Sequence, residues 1–99
     1  MSRHTPWGYS DSQEQIQPGI IFYSTPSHGG YHVSAALNRT MPDSLRLDGG
    51  WYEEDCDWAL PYLALGLDAF ERDAARAAEM HQAAVRTVQR YHPQHAALL

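Results

Sequence analysis

Residues Gly19–Ser34, which read GIIFYSTPSHGGYHVS, decide the fold of this chain. The β-branched and aromatic run Gly19–Thr25 follows a turn signal at Pro18 and is typical of a strand. A second turn signal lies at Pro26–Gly30, and Tyr31–Ser34 has the composition of a returning strand. The stretch therefore predicts a β-hairpin with a five-residue connection.

On the N-terminal side of this hairpin, residues 7–16 are compatible with one more strand, so we expect an antiparallel sheet of about three strands. On its C-terminal side, residues 35–50 are predicted to be a connector with one helical turn near Pro42. From 51 to 92 the chain is predicted to be helical. Within this region Pro61 either ends or kinks the first helix, or begins a second one.

The clearest helical pattern lies near the C-terminus. Asp68 and Glu71 have the spacing of a capping box, and Pro93 marks the end of the helix. The apolar face of the predicted helix consists of Phe70, Ala74, Ala77, His81, Ala84, Val88 and Tyr91. We therefore predict an α+β protein in which a small antiparallel sheet packs against a long amphipathic C-terminal helix and one or two shorter helices.

Length and composition predict one domain over residues 1–99, with a β-rich part at 5–34 and a short tail at 93–99. A chain of 99 residues forms only a small core, and a homodimer is an alternative that would bury more surface. A single cysteine excludes an internal disulfide, and no apolar run reaches the ~18 residues of a membrane span. Phosphate-binding and dinucleotide-binding motifs are absent. We therefore expect a cytoplasmic protein without a cofactor.

The negative charge of the chain is concentrated in its middle. Residues 43–73 carry nine acids and two arginines, and the whole chain has a formal net charge of -5. Carboxylates at this density oppose direct binding to nucleic-acid phosphates. They favour attraction to a basic protein surface instead.

The segment Trp51–Trp58, which reads WYEEDCDW, places four carboxylates and the only thiol between two tryptophans. Carboxylates this close repel one another unless a cation, a basic partner or helix-terminus donors compensate them. The segment is therefore a candidate for metal binding, for proton transfer or for docking to a basic partner. The docking hypothesis predicts no catalytic residue. It assigns partner contacts to Asp48, Trp51, Tyr52, Glu53, Glu54, Asp55, Asp57, Asp68, Glu71 and Asp73.

A metal site is the alternative for the same acids. If the turn at Pro26–Gly30 packs near the acidic segment, His28 joins the carboxylates of Glu53, Glu54 and Asp55. This mixed set of nitrogen and oxygen donors suits zinc or manganese. A purely structural role is also open, because acids at the start of a helix are stabilised by its dipole.

Three further residues are predicted to be structural. Cys56 is interpreted as a small buried hydrophobe and not as a nucleophile, because the neighbouring carboxylates raise the pKa of a thiol. Trp58 is predicted to lie in the core among leucines. His81 lies on the apolar face of the last helix and is predicted to be a hydrogen-bonded core histidine.

Three segments of the chain resemble an uncharacterised domain family that occurs in proteins of phages, plasmids and integrative elements. They are Thr5–Gly8 (TPWG), Ser24–Gly30 (STPSHGG) and Trp51–Ala59 (WYEEDCDWA). The resemblance runs from about Thr5 to Pro93, and it implies a mobile-element context without an established activity.

A small acidic protein of such an element resembles anti-CRISPR and other counter-defence proteins, many of which occupy basic nucleic-acid channels of host complexes. The resemblance implies a non-enzymatic, anti-CRISPR-like inhibitor that mimics DNA through an acidic face. Its expected partner is a CRISPR effector subunit or another host defence complex in the bacterial cytoplasm. The alternatives are a small metal-binding or hydrolase-like domain, and a structural module whose motifs only hold the fold together.

Overall fold

The computed structural model describes residues 4–98, and the side chains of residues 4–95. It is an α+β structure with two antiparallel sheets and one long helix near the C-terminus. The main sheet has the strand order β3-β4-β5-β6. Its strands are β3 (Ser12–Gln17), β4 (Ile20–Ser24), β5 (Gly29–Val33) and β6 (Trp51–Glu53). The predicted hairpin is present as β4 and β5, in which Phe22 pairs with Tyr31.

The predicted N-terminal strand is divided in two. Residues His4–Thr5 (β1) pair with Gly8–Tyr9 (β2) in a separate two-stranded sheet, and β3 begins only at Ser12. The Thr5 hydroxyl makes this break, because it donates to the Gly8 carbonyl at 2.7 Å and accepts from the Trp7 amide at 3.1 Å. The side chain thus closes a tight turn between the two short strands.

The main sheet has four strands because Trp51–Glu53, which we predicted to be helical, adds to its edge as β6. Gly49 and Gly50 precede β6 with φ of 85° and 77°, a backbone conformation that glycine adopts without steric penalty. They direct the chain back along β5, where Trp51 pairs with His32. The prediction of a helical region from residue 51 is therefore wrong, and the second α-helix begins at Ala59.

The described residues also form three α-helices: α1 (Ala35–Asn38), α2 (Ala59–Ala64) and α3 (Ala74–Tyr91). Short 3-10 turns lie at Asp48–Gly50, Leu67–Phe70 and Pro93–Leu98. Pro61 is the third residue of α2, where a proline removes no intrahelical hydrogen bond. None of the helices in the described part of the chain has the length and apolar character that a membrane crossing requires.

The N-terminus of α3 differs from the predicted capping box. Asp73 is the N-cap, and its carboxylate accepts the Arg76 amide at 2.7 Å. Asp68 instead lies in a 3-10 turn, which ends at Phe70. Glu71 accepts from the Tyr62 hydroxyl at 2.6 Å and is not a capping residue.

The sheet and the helices share one hydrophobic core. Its buried members are Ile20, Val33, Met41, Tyr52, Ala59, Leu60, Tyr62, Leu67, Ala84 and Val88. Trp58 packs against this core but stays partly buried, with its ring centroid 5.4 Å from that of Tyr62. The prediction that it lies within the core is therefore only partly met.

The buried face of α3 is rotated relative to the predicted one. Ala84 and Val88 are buried as predicted, and Met80 packs beside them. His81 is exposed, which makes its prediction as a core histidine wrong. One residue step turns a helix by about 100°, so His81 lies beside the buried face and not within it when Met80 faces the core. Phe70 and Tyr91 are also about half exposed, at 49% and 50%.

Candidate functional site

The turn between β4 and β5 holds His28 in a fixed position. Thr25 is 8% exposed, and its amide and hydroxyl both donate to the His28 carbonyl at 2.7 Å. The His28 amide donates in return to the Thr25 hydroxyl at 3.0 Å. A buried threonine that makes three hydrogen bonds across four residues explains why this short turn is well defined.

The loop after β6 carries the acids to the same end of the sheet. The Glu54 amide donates to the Gly29 carbonyl at 2.9 Å, which extends the β5–β6 pairing beyond the strand. The amides of Asp57 and Trp58 both donate to the Glu53 carbonyl, at 3.0 and 2.8 Å. These bonds fold residues 54–57 into a compact turn whose backbone is anchored at both ends.

His28, Glu53 and Asp55 meet where these two turns lie side by side. Each offers one ligand atom, and the three atoms lie within 4.8 Å of one another. His28 Nδ1 is 4.0 Å from Asp55 Oδ2, and both side chains are exposed, at 47% and 66%. The structure therefore brings together three of the four residues of the alternative metal site. Glu54 is not part of this group and is exposed.

An aromatic cluster lies at the same corner, on the face of the sheet that also carries Glu53. Trp7 packs edge-on against Trp51 with ring centroids 5.7 Å apart, and Tyr23 and His32 lie 5.5 and 4.4 Å from Trp51. Position 30 has no room for a side chain. A Cβ introduced there would lie 2.6 Å from Trp7 Cη2 and would clash with the Tyr52 carbonyl. The three segments of the family resemblance thus meet at one corner of the sheet.

Tyr52 is not a docking residue. Its side chain is completely buried, and its hydroxyl donates to Asn38 Oδ1 at 2.6 Å and accepts from the Leu47 amide at 3.0 Å. Burial also raises the pKa of this hydroxyl. Side chains alternate along a strand, so Tyr52 faces the core while Trp51 and Glu53 face the other side. Trp51 is partly buried in the aromatic cluster, which makes it a packing residue rather than a free anchor.

Asp57 turns away from the other acids of its segment. Its Oδ1 lies 3.2 Å from His92 Nε2, and the same nitrogen is 3.1 Å from the Cys56 carbonyl. Only 17% of the His92 side chain and 25% of the Asp57 side chain are exposed. Sequence reasoning missed this contact because 36 residues separate His92 from Cys56 and no local pattern joins them. Asp57 therefore ties the acidic loop to the end of α3.

The surroundings of Cys56 disfavour the thiolate form of its side chain at neutral pH. Burial, with additional effects from the carboxylates of Asp57 and Glu53, raises the pKa of its thiol to about 11. A nucleophilic cysteine requires a depressed pKa, which supplies thiolate at pH 7. Cys56 is only partly buried, so the interpretation as a small buried hydrophobe is met in part, and its non-catalytic role stays a prediction.

We expect Cys56 to react slowly with iodoacetamide in the folded protein. A thiol with a pKa of about 11 instead of 9.0 has about a hundredfold less thiolate at pH 8, and the rate should rise until the pH passes about 11. The measurement is the alkylation rate against pH, by mass spectrometry. The urea-unfolded chain is the matched control, because there the pKa returns to its ordinary value. Equal rates in the two states at pH 8 would contradict the raised pKa.

The remaining predicted acids lie in other surroundings. Asp48 is exposed in the 3-10 turn before β6. Glu71 and Asp73 line a polar cavity of about 550 Å³ together with Arg72 and Arg76. Because arginines lie among these acids, this end of the molecule has mixed charge. Glu71 and Asp73 therefore lie in surroundings unlike those of Glu54, and Asp68 lies in the 3-10 turn Leu67–Phe70.

A family model with the description "Domain of unknown function (DUF7007)" matches residues 1–98 of the chain. The chain belongs to the DUF7007 family. The predicted resemblance to an uncharacterised domain family is thereby confirmed, whereas its mobile-element context stays a prediction. No curated protein and no solved structure is significantly similar to this DUF7007 chain.

Proposed function

We propose that this chain is a non-enzymatic binding module that presents the carboxylates of Glu53, Glu54 and Asp55 to a basic surface of a partner protein. One observation supports this proposal above the others. The three acids lie on a hydrogen-bonded turn, and within residues 4–95 none of them has an arginine within ion-pair distance. We refer to Glu53, Glu54 and Asp55 as the acidic turn.

The ion pairs that arginines form in the described part of the chain are with acids outside the acidic turn. Arg46 pairs with Asp43, and Arg76 lies 3.7 Å from Glu71. Within the described residues, the acidic turn is therefore a negative patch that no arginine compensates, and hydrogen bonds fix its backbone before any partner binds. A preorganised charged patch accelerates association with an oppositely charged surface and avoids the entropy cost of ordering a loop.

The proposed docking surface is smaller than the one predicted from the sequence. Tyr52 is buried, Asp57 pairs with His92, and Glu71 accepts a hydrogen bond from Tyr62. Exposed acids remain at the acidic turn, and Asp48 is a further exposed candidate in the 3-10 turn before β6. A patch of this size supports electrostatic steering and specificity, and it requires further contacts for tight binding.

The proposed partner is a nucleic-acid-binding groove of a host defence complex, with a CRISPR effector subunit as the leading candidate. Such grooves carry arginine and lysine side chains that contact phosphates. Carboxylates on a rigid turn compete with phosphates for these cations, so the chain would act as an anti-CRISPR-like DNA mimic in the bacterial cytoplasm. The mobile-element context implied by the sequence resemblance is the basis for this choice of partner class.

A pull-down from bacterial lysate tests the proposal. The tagged chain should retain nucleic-acid-binding proteins at low salt, and a variant with a reversed acidic turn should not retain them. If the chain captures a CRISPR effector complex, addition of the chain to the purified complex should abolish its RNA-guided DNA cleavage activity. Capture that does not depend on the acidic turn would contradict the proposal.

A divalent cation site is the second candidate function, because the ligand atoms of His28, Glu53 and Asp55 lie within 4.8 Å of one another. One imidazole nitrogen and two carboxylate oxygens form a donor set that suits zinc or manganese. Three protein ligands would leave a coordination position open to water. The exposure of His28 and Asp55 favours docking over a catalytic metal centre, which requires a partly enclosed site.

A titration with Zn²⁺ and Mn²⁺ decides whether this candidate holds. If the cluster is a cation site, one ion binds per chelator-treated chain and raises the melting temperature, because binding to the folded state stabilises it. Binding should be lost in His28→Ala and Glu53→Gln and kept in Glu79→Gln, a matched control at an exposed acid of α3. A melting temperature that is unchanged by either ion would eliminate the cation site and leave docking as the function of the acidic turn.

A further inference from the structure

A second candidate site is a mostly apolar cavity, which differs in its chemistry from the acidic turn. A cavity of about 620 Å³ opens between α2, α3, the loop at residues 42–45 and the C-terminal 3-10 turn. Its apolar walls include Leu45, Leu63, Ala64 and Val85. Leu60 and Val88 also line it, and they are only 3% and 1% exposed, so the cavity reaches down to the hydrophobic core.

The polar groups of this cavity are few. Ser44, His81 and His95 line it, and its described lining contains no aspartate, glutamate or arginine. A hydroxyl and two imidazoles supply hydrogen-bond donors, and the described lining offers no carboxylate that would repel an anion. The lining therefore favours a ligand with an apolar body and an acceptor or negatively charged end. It disfavours a cationic ligand, which would find no carboxylate.

We propose that this cavity binds a small amphipathic monocarboxylate, with its aliphatic body against the leucine and valine walls and its carboxylate against His81 and His95. The volume of about 620 Å³ lies within the range of about 300–1,000 Å³ that is typical of small-molecule pockets. Burial of an alkyl chain supplies most of the affinity, and charge-assisted hydrogen bonds to imidazole orient the carboxylate. The exposed position of His81 on α3, which the core prediction did not explain, is accounted for by this role.

Decanoate is the probe for this site, and decanol is its matched comparator without a carboxylate. Isothermal titration calorimetry should show one saturable decanoate site per chain, measured below the concentration at which decanoate aggregates. Ala64→Phe should abolish binding by filling the cavity. Ala78→Phe is the control, because it adds the same ring at another exposed alanine, one that does not line the cavity. The double variant His81→Ala with His95→Ala should bind decanoate about tenfold more weakly and bind decanol unchanged.

Several results would overturn the proposal. The first is the absence of saturable decanoate binding, and the second is binding that Ala64→Phe and Ala78→Phe affect equally. Equal affinities for decanoate and decanol would remove the role of the histidines. Sedimentation completes the test: if the chain self-associates and Ala64→Phe makes it monomeric, the cavity is an interface between two copies of this chain and not a ligand site.

Discussion

Replacement of Gly50 by alanine is expected to destabilise the fold by about 2–5 kcal/mol. Gly50 is buried and has a φ of 77°, where a side chain adds about 1–2 kcal/mol of strain. Its Cβ would also clash with the Val33 carbonyl, which is backbone of β5 and has no rotamer that relieves the contact. Overpacking of this kind adds about 1–3 kcal/mol. The measurement is the free energy of unfolding from urea denaturation.

Gly66→Ala is the matched control for this substitution. Gly66 also has a positive φ, of 65°, but no atom lies within 4 Å of the position that its Cβ would occupy. The control isolates the conformational strain, so it should lose only about 1–2 kcal/mol. If the two variants are equally stable, the close contact between Gly50 and the Val33 carbonyl of β5 does not contribute to stability, and the prediction is wrong.

Local patterns predicted the elements that have strong local signals. The hairpin of β4 and β5 and the end of α3 before Pro93 were predicted close to their observed positions, because β-branched runs and proline act within a few residues. The strand Trp51–Glu53 was missed because its acids are also common at helix starts, which led us to predict a helix. The pairing of these residues with β5 overrides that local preference. The sequence does not show the positive φ of Gly49 and Gly50, which makes that pairing accessible.

The sequence predicted that His28 and several acids could form a site, but it did not predict which of the acids belong to that site. The sequence indicated that His28 and the acids at 53–55 belong together if two turns are neighbours, and the β5–β6 pairing provides that neighbourhood. It did not indicate which acids are engaged elsewhere, because His92 and Tyr62 reach Asp57 and Glu71 through tertiary contacts. Strand alternation alone predicts opposite faces for neighbouring side chains, once residues 51–53 are known to be a strand.

Reversal of charge on the acidic turn is expected to abolish partner binding while the fold is kept. The variant is Glu54→Arg with Asp55→Arg, because both side chains are exposed. Asp57 is unsuitable, since its carboxylate pairs with His92 and its replacement would disturb the fold. Exposed charges contribute about 0–1 kcal/mol to stability, so the melting temperature should change little. Against a basic partner, like charges oppose each other, and the affinity should fall by about a hundredfold or more.

The matched control is Asp11→Arg with Glu79→Arg, which changes the net charge equally at two exposed acids outside the acidic turn. If the local patch drives docking, the control binds nearly as the parent chain does. If only net charge matters, both variants lose binding to the same extent, and the docking surface is not the acidic turn. The measurement is a paired melting and pull-down assay on the three proteins.

The salt dependence of the same interaction gives an independent criterion. The Debye length falls from about 10 Å at 0.1 M to about 3 Å at 1 M ionic strength, so the association rate of the parent chain should fall steeply over this range. The rate of the acid-reversed variant should start low and change little, because no attraction remains to be screened. A parent rate that does not respond to salt would mean that the carboxylates do not steer association. An acid-reversed variant that unfolds would mean that Glu54 and Asp55 serve the fold.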